Sequence, residues 1–181
     1  MMDLAAPPPY RSPDYIVRHA TQDWERAGAA ALRHAVFCGE QGLFAHHDRD
    51  TIDAAATPIV ALSMIAGQPD EVIGTVRIHS PEPGLWWGSR LAVAATHRNV
   101  GTIGPALIRV AVSTAHAMGC TRFLAHVQAR NELLFRRMKW QRLNMIDLHG
   151  SAHVLMQADL AHYPPMADGI TGLRTGTRRA A

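Results

Sequence analysis

Between Arg98 and Pro105 the sequence reads Arg-Asn-Val-Gly-Thr-Ile-Gly-Pro. An apolar strand precedes this stretch and an amphipathic helix follows it. The first turn of a helix carries N–H groups with no intrahelical acceptor, and the positive end of the helix dipole. Glycines let an anion come close to such a backbone. Pro105 fits a first-turn position, where its missing N–H costs nothing. The chemistry on offer is capture of a pyrophosphate or another anion. Two known phosphate loops are excluded: there is no GxxxxGK followed by Ser or Thr, and no GxGxxG after the first strand. Glycines also mark plain turns, so the loop alone leaves both readings open.

Other reactive side chains are more scattered. His46, His47, Asp48, Asp50 and Asp53 share one polar loop. It lacks the glycine and terminal Glu of a calcium-binding EF-hand, and is expected to be a solvated acidic loop that gates the site or binds a cationic substrate. His149 and His153 flank a predicted hairpin turn rather than a helix face, which does not suit a zinc pair; no metal is expected. Cys38 and Cys120 fall near helix ends and read as small buried hydrophobes. Trp86 and Trp87 point to opposite faces of one strand, so one belongs to the core and the other faces a cleft.

These residues need a scaffold. Alternation and turn residues predict strands at 15–20, 59–66, 71–79, 85–94, 122–128, 142–149 and 153–160. Apolar spacing predicts helices from Trp24 to about Cys38, capped by Thr21 or Asp23, and over 104–118, ending at Gly119. A short helix is expected at 131–138. The order β-α-β-β-β-α-β-α-β-β makes a mixed α/β domain around one sheet. The length of 181 residues suits one domain with its own core. Residues 1–13 hold four prolines and read as an extended lead-in, 14–164 as the domain, and 165–181 as a flexible Gly/Thr/Arg tail. The net charge is +3, but from residue 168 onward there are three Arg and one Asp, which leaves 15 basic against 14 acidic residues upstream. A nearly neutral body argues against a nucleic-acid partner. No apolar run is long enough for a membrane span. Two cysteines and no signal-peptide profile point to a reducing, cytoplasmic location.

Strand 85–94, loop 97–104 and helix 104–118 resemble the acyl-CoA-binding core of the GNAT N-acetyltransferases. Arg90-Leu91-Ala92-Val93 resembles the "RLAV" of that superfamily's fourth strand, and Gly104-Pro105-Ala106-Leu107-Ile108 its "G-x-A-L" helix start. The phosphate signature there is Q/R-x-x-G-x-G/A. Arg98-x-x-Gly101 fits its first half, but the next glycine comes one residue late. Aligned on Gly104, which keeps the helix in register, Asn99 takes the Gln/Arg place and Thr102 that of the first glycine. Asn131 followed by Leu134-Phe135-Arg136-Arg137-Met138-Lys139-Trp140 resembles the superfamily's "N…LYEKLGF". The segment from Arg33 through Val36-Phe37 to Glu40-Gln41, with Asp48 to Asp53, resembles the R-x-x-V-F-x-x-E-Q segment of ElaA-like acyltransferases. Trp86 to Arg90, Ala125 to Gln128, and His149-Gly150 are similar to a nitrogen-starvation-associated subgroup. The resemblance spans roughly 15–160, with its segments in the family's order.

The resemblance implies a mixed, mostly antiparallel sheet of about seven strands, flanked by helices and splayed between strands four and five. Acetyl-CoA or another acyl-CoA would lie in that splay as co-substrate. Backbone groups of Leu91, Ala92 and Val93 would pair with its pantetheine arm. The main chain of Val100, Gly101, Thr102, Ile103, Gly104 and Pro105 would cradle the pyrophosphate, and Asn131 would bond the pantetheine or position the sulfur. The implied reaction is direct attack of a small amine on the thioester, its oxyanion held by a strand-four N–H, that of Val93. Direct attack needs a base and an acid. The superfamily's Tyr acid falls at Phe135, which has no proton to give, and strand four carries no carboxylate. Glu40 and His126 are the foremost base candidates, followed by the Asp48/Asp50/Asp53 loop and His79. Two alternatives stand beside this reading: a coenzyme sensor without catalysis, and acyl transfer like that of acyl-homoserine-lactone synthases. The last two strands, which often serve as dimer edges in the superfamily, make a homodimer one expected assembly.

Overall fold

The computed structural model describes residue 12 and residues 14–175. Its strands are β1 (Tyr15–His19), β2 (Thr57–Ile65), β3 (Gln68–Glu82), β4 (Leu85–Val93), β5 (Arg122–Gln128), β6 (Trp140–Leu148), β7 (Ser151–Ala158) and β8 (Leu173–Thr175). They form one sheet in the order β6-β7-β5-β4-β3-β2-β1-β8. Every pairing is antiparallel except that of β4 with β5. The sheet therefore has eight strands where about seven were expected. The extra one, β8, pairs with β1 and lies within the segment read as a tail; the last part of that segment, 176–181, and all of the lead-in but residue 12 lie outside the described residues.

Among the described residues three α-helices flank the sheet: α1 (Asp23–Arg33), α2 (Ile103–Ala117) and α3 (Glu132–Arg137). Alternation along the strands sorts two cores onto opposite faces. Val17, Ile59 and Ala61 pack with α2, whereas Ile16, Val60 and Leu62 pack with α1. Gly74 on β3 lets α2 approach closely, because a Cβ there would lie 2.8 Å from Leu107 and 3.1 Å from Ile103. The start of α1 is fixed by Glu25, not by Thr21 or Asp23. Its fully buried carboxylate accepts the N–H groups of Thr21 and Gln22 and pairs with Arg18 at 2.6 Å.

The predicted helix over 24–38 is α-helical only as far as Arg33. It continues as a π-helix, His34–Glu40. Such widened turns gather at functional sites because they re-aim side chains. Here the π-helix carries Val36, Phe37 and Glu40 to the cavity described next.

Candidate active site

The pairing of β4 with β5 runs from Leu85–Arg122 to Gly88–Ala125 and stops there. Beyond it the strands part. A cavity of about 1080 Å³ opens in the gap, reaching both faces of the sheet. Its shape begins with a bulge on β4. Ser89 faces Arg77 and Ala92 faces Thr75, so Arg90 and Leu91 together oppose Val76. Arg90 takes φ +57°, a left-handed conformation that costs a non-glycine residue about 1–3 kcal/mol.

Downstream of the bulge the main chain faces the gap. The Ala94 N–H donates to the Ile73 carbonyl at 2.9 Å. Antiparallel pairs alternate, so Val93, opposite Gly74, is a non-hydrogen-bonded pair and turns its N–H and C=O away from β3. Leu91, Ala92 and Val93 all line the cavity. The Val93 carbonyl accepts from Arg98 Nε at 3.0 Å, and Arg98 also pairs with Glu40 at 2.6 Å.

The loop after β4 reaches α2 through a turn. Thr102 has φ −97° and ψ −16°, an ordinary helical conformation, so this position does not demand glycine. Its hydroxyl accepts from Tyr15 at 2.5 Å. The N–H groups of Gly101, Thr102 and Gly104 meet no acceptor among the described residues. A Cβ at Gly101 or Gly104 would meet nothing within 4 Å. The glycines thus leave open space over free donors, an arrangement that fits a phosphate group. Gly104 lines the cavity. Asn99, Val100, Gly101, Thr102 and Pro105 stand beyond its lining, and Ile103 is wholly buried in the core. At the far wall, Asn131 is exposed to the cavity just before α3. Phe135 is buried, its ring 5.0 Å from that of Trp140.

The acidic loop corrects the sequence reading: its carboxylates are not free for a cationic substrate. Arg33 pairs with Asp48 and Asp53, both at 2.6 Å; Arg77 with Asp50 and Asp53, both at 2.7 Å; and Arg90 with Asp48 at 3.0 Å and Asp50 at 3.2 Å. Bonds from Arg77 hold the Asp50 carboxyl below its ordinary value. Burial would raise that of Asp53, but bonds from Arg33, the Asp50 N–H and Arg77 outweigh it and hold it low. The Arg90 guanidinium also lies 4.7 Å from the Phe44 ring, and Phe44 lies 4.9 Å from His149. The cluster thus ties the loop 41–50 to the bulge of β4 and to the β6–β7 hairpin.

Across the cavity, β3, β4, β5 and β7 present His79, Trp87, His126 and His153 on one face. Of the tryptophan pair, Trp87 lines the cavity and Trp86 belongs to the core, only 8% exposed. His126 lies 4.8 Å from the Trp87 ring. His126 is exposed to the cavity, and partial desolvation in its wall, with His153 nearby, lowers its pKa, so its imidazole is neutral near neutral pH. His79 is lowered too, by burial and by Arg77, and its Nδ1 is buried without a partner. Cys120 is buried and its thiol is pushed up to about 11, as suits an inert core cysteine. Among the described residues no His, Cys, Asp and Glu gather as a metal site, and no helix is long and apolar enough to cross a membrane.

The model of the GNAT acetyltransferase family matches residues 16–137. The chain belongs to that family. The same fold recurs in a Lactobacillus plantarum protein assigned to the N-acetyltransferases, with a TM-score of 0.70 and 23% identity over 80% of this chain and 97% of that one. Escherichia coli ElaA superposes with a TM-score of 0.66 and 18% identity, over 80% and 98% of the two chains. A Pseudomonas aeruginosa acyl-CoA N-acyltransferase gives 0.64 and 17%, over 80% and 98%. No curated protein sequence matches significantly. In this GNAT domain, sequence reasoning missed Arg77 altogether. The signal was present: Arg77 and His79 alternate with Val76 and Ile78, which puts two polar groups on one face of the strand.

Proposed function

We propose that the protein moves an acetyl or other short acyl group from acyl-CoA to a small amine by direct attack. One observation carries the reading: Val93 on β4, in a non-hydrogen-bonded pair with Gly74, turns its N–H into the gap left by β5. A pantetheine arm has amides that pair with such an edge as an added strand. The free N–H groups at Gly101, Thr102 and Gly104 take the pyrophosphate, and Asn131 contacts the pantetheine. The subgroup is proposed to be the one associated with nitrogen starvation.

The Val93 N–H stabilises the oxyanion that forms when the amine nitrogen bonds the thioester carbon. His126, kept neutral by its surroundings, accepts the proton that the amine gives up. The C–S bond then breaks and water protonates the thiolate, since Phe135 has no proton to give. We assign the base to His126 rather than Glu40, because Glu40 is held by Arg98. The test is kcat/KM against pH with acetyl-CoA and an amine acceptor. The wild type is expected to lose activity as pH falls through a value below 6.5, the ordinary histidine value. In His126→Ala that limb disappears and kcat falls by about 10²–10⁴-fold. A variant with the wild-type profile would overturn the assignment.

A second reading follows from Phe135 and from the absence of a carboxylate on β4: a coenzyme sensor without catalysis. Acetyl-CoA binding without turnover across an amine panel would favour it.

A further inference from the structure

The charges that the described residues bring to the cavity wall do not balance. Two carboxylate residues line it, and both are occupied: Glu40 by Arg98 at 2.6 Å, and Asp50 by Arg77 at 2.7 Å and Arg90 at 3.2 Å. The Glu40–Arg98 pair is neutral. So is the cluster of Arg33, Arg77 and Arg90 with Asp48, Asp50 and Asp53. Arg130 also lines the cavity, but beside Asn131 on the coenzyme side. That leaves Arg49. It lines the cavity, is exposed, and makes no hydrogen bond or ion pair with any described residue.

Arg49 is also anchored. Its neighbour Asp48 is bound by Arg33 and Arg90, and its neighbour Asp50 by Arg77 and Arg90. The backbone on both sides is fixed while the guanidinium stays unengaged. A planar fork on a fixed stem suits a carboxylate, which it can hold through two parallel hydrogen bonds. A second ammonium on the acceptor would find no unpaired carboxylate on this wall. Phe37, Phe44 and Trp87 give the same cavity apolar surface.

We infer that the acyl acceptor is a carboxylate-bearing amine of amino-acid type, and that Arg49 holds its carboxylate. The inference rests on the acyl-transfer reading above. The test uses the full chain with acetyl-CoA and amino acids, each paired with its own amide, plus aliphatic diamines; thiol release reads the rate. Amino acids are expected to exceed their amides in kcat/KM by about tenfold or more, the scale of one charge-assisted hydrogen bond. In Arg49→Ala that acid-to-amide ratio falls about tenfold, chiefly through KM, and Arg49→Lys restores part of it. Amides or diamines used as well as amino acids would overturn the inference. So would an unchanged ratio in Arg49→Ala, or no turnover of any amino acid. Calorimetry with acetyl-CoA separates the two levels: binding without the acid preference sinks only the acceptor class, whereas no binding sinks the acyl-transfer reading as well.

Discussion

Arg90 joins the shape of the cleft to the charge cluster. Its backbone holds the left-handed turn of the bulge, and its side chain is held by Asp48, Asp50 and the Phe44 ring. The two roles separate by substitution. Arg90→Gly removes the guanidinium but relaxes the backbone, while Arg90→Ala removes the guanidinium and keeps the strain. Urea denaturation should find Arg90→Ala about 1 kcal/mol less stable than Arg90→Gly; equal stabilities would mean the backbone is not strained. At this scale the sequence was only partly legible. Arg90-Leu91-Ala92-Val93 marked the strand, and alternation put Trp86 and Trp87 on opposite faces without saying which of them faces the cleft. The pairing of Arg33, Arg77 and Arg90 with three aspartates was not legible. It joins residues separated by up to 42 positions, and such contacts leave no local periodicity.

At the scale of elements, the strands followed from alternation bounded by Gly and Pro turns, and α2 from its apolar spacing and its stop at Gly119. The π-helix was missed, because a widened turn preserves the look of a helical stretch over a few residues. β8 was missed because three residues, Leu173 to Thr175, give too short a pattern to alternate. The link from β4 to α2 carries the clearest prediction. Gly104 has open space where a Cβ would project, and no positive φ that only glycine could adopt. Gly104→Val should therefore leave the unfolding free energy from urea denaturation within roughly 1 kcal/mol of wild type while weakening CoA affinity at least tenfold. Unaltered affinity would remove the loop from the pyrophosphate site.

For the molecule as a whole, topology was well anticipated: one mixed sheet, splayed where β4 and β5 part. The acidic loop proved to be part of the structural frame, and this has a consequence for pH. The Asp50 and Asp53 carboxyls are held below their ordinary value of 3.8, as is Glu25 below 4.5. Groups lowered in this way contribute stability that is full above the unfolded value and is lost as pH falls through the folded one. The free energy of unfolding should drop between about pH 5 and pH 2, and Arg77→Met should flatten that acid limb. It should also destabilise the protein by about 2 kcal/mol at neutral pH, since the part-exposed Asp50 and Asp53 each lose a charge-assisted partner. A wild-type limb in the variant would show that the cluster does not govern acid unfolding.

The central claim is that the gap between β4 and β5, with the free amides before α2, holds a coenzyme. Titrating CoA and acetyl-CoA into the full chain in a calorimeter tests it most directly. The account predicts saturable heat with one site per chain, and a rise in Tm with either ligand. No heat and no change in Tm with both would contradict it.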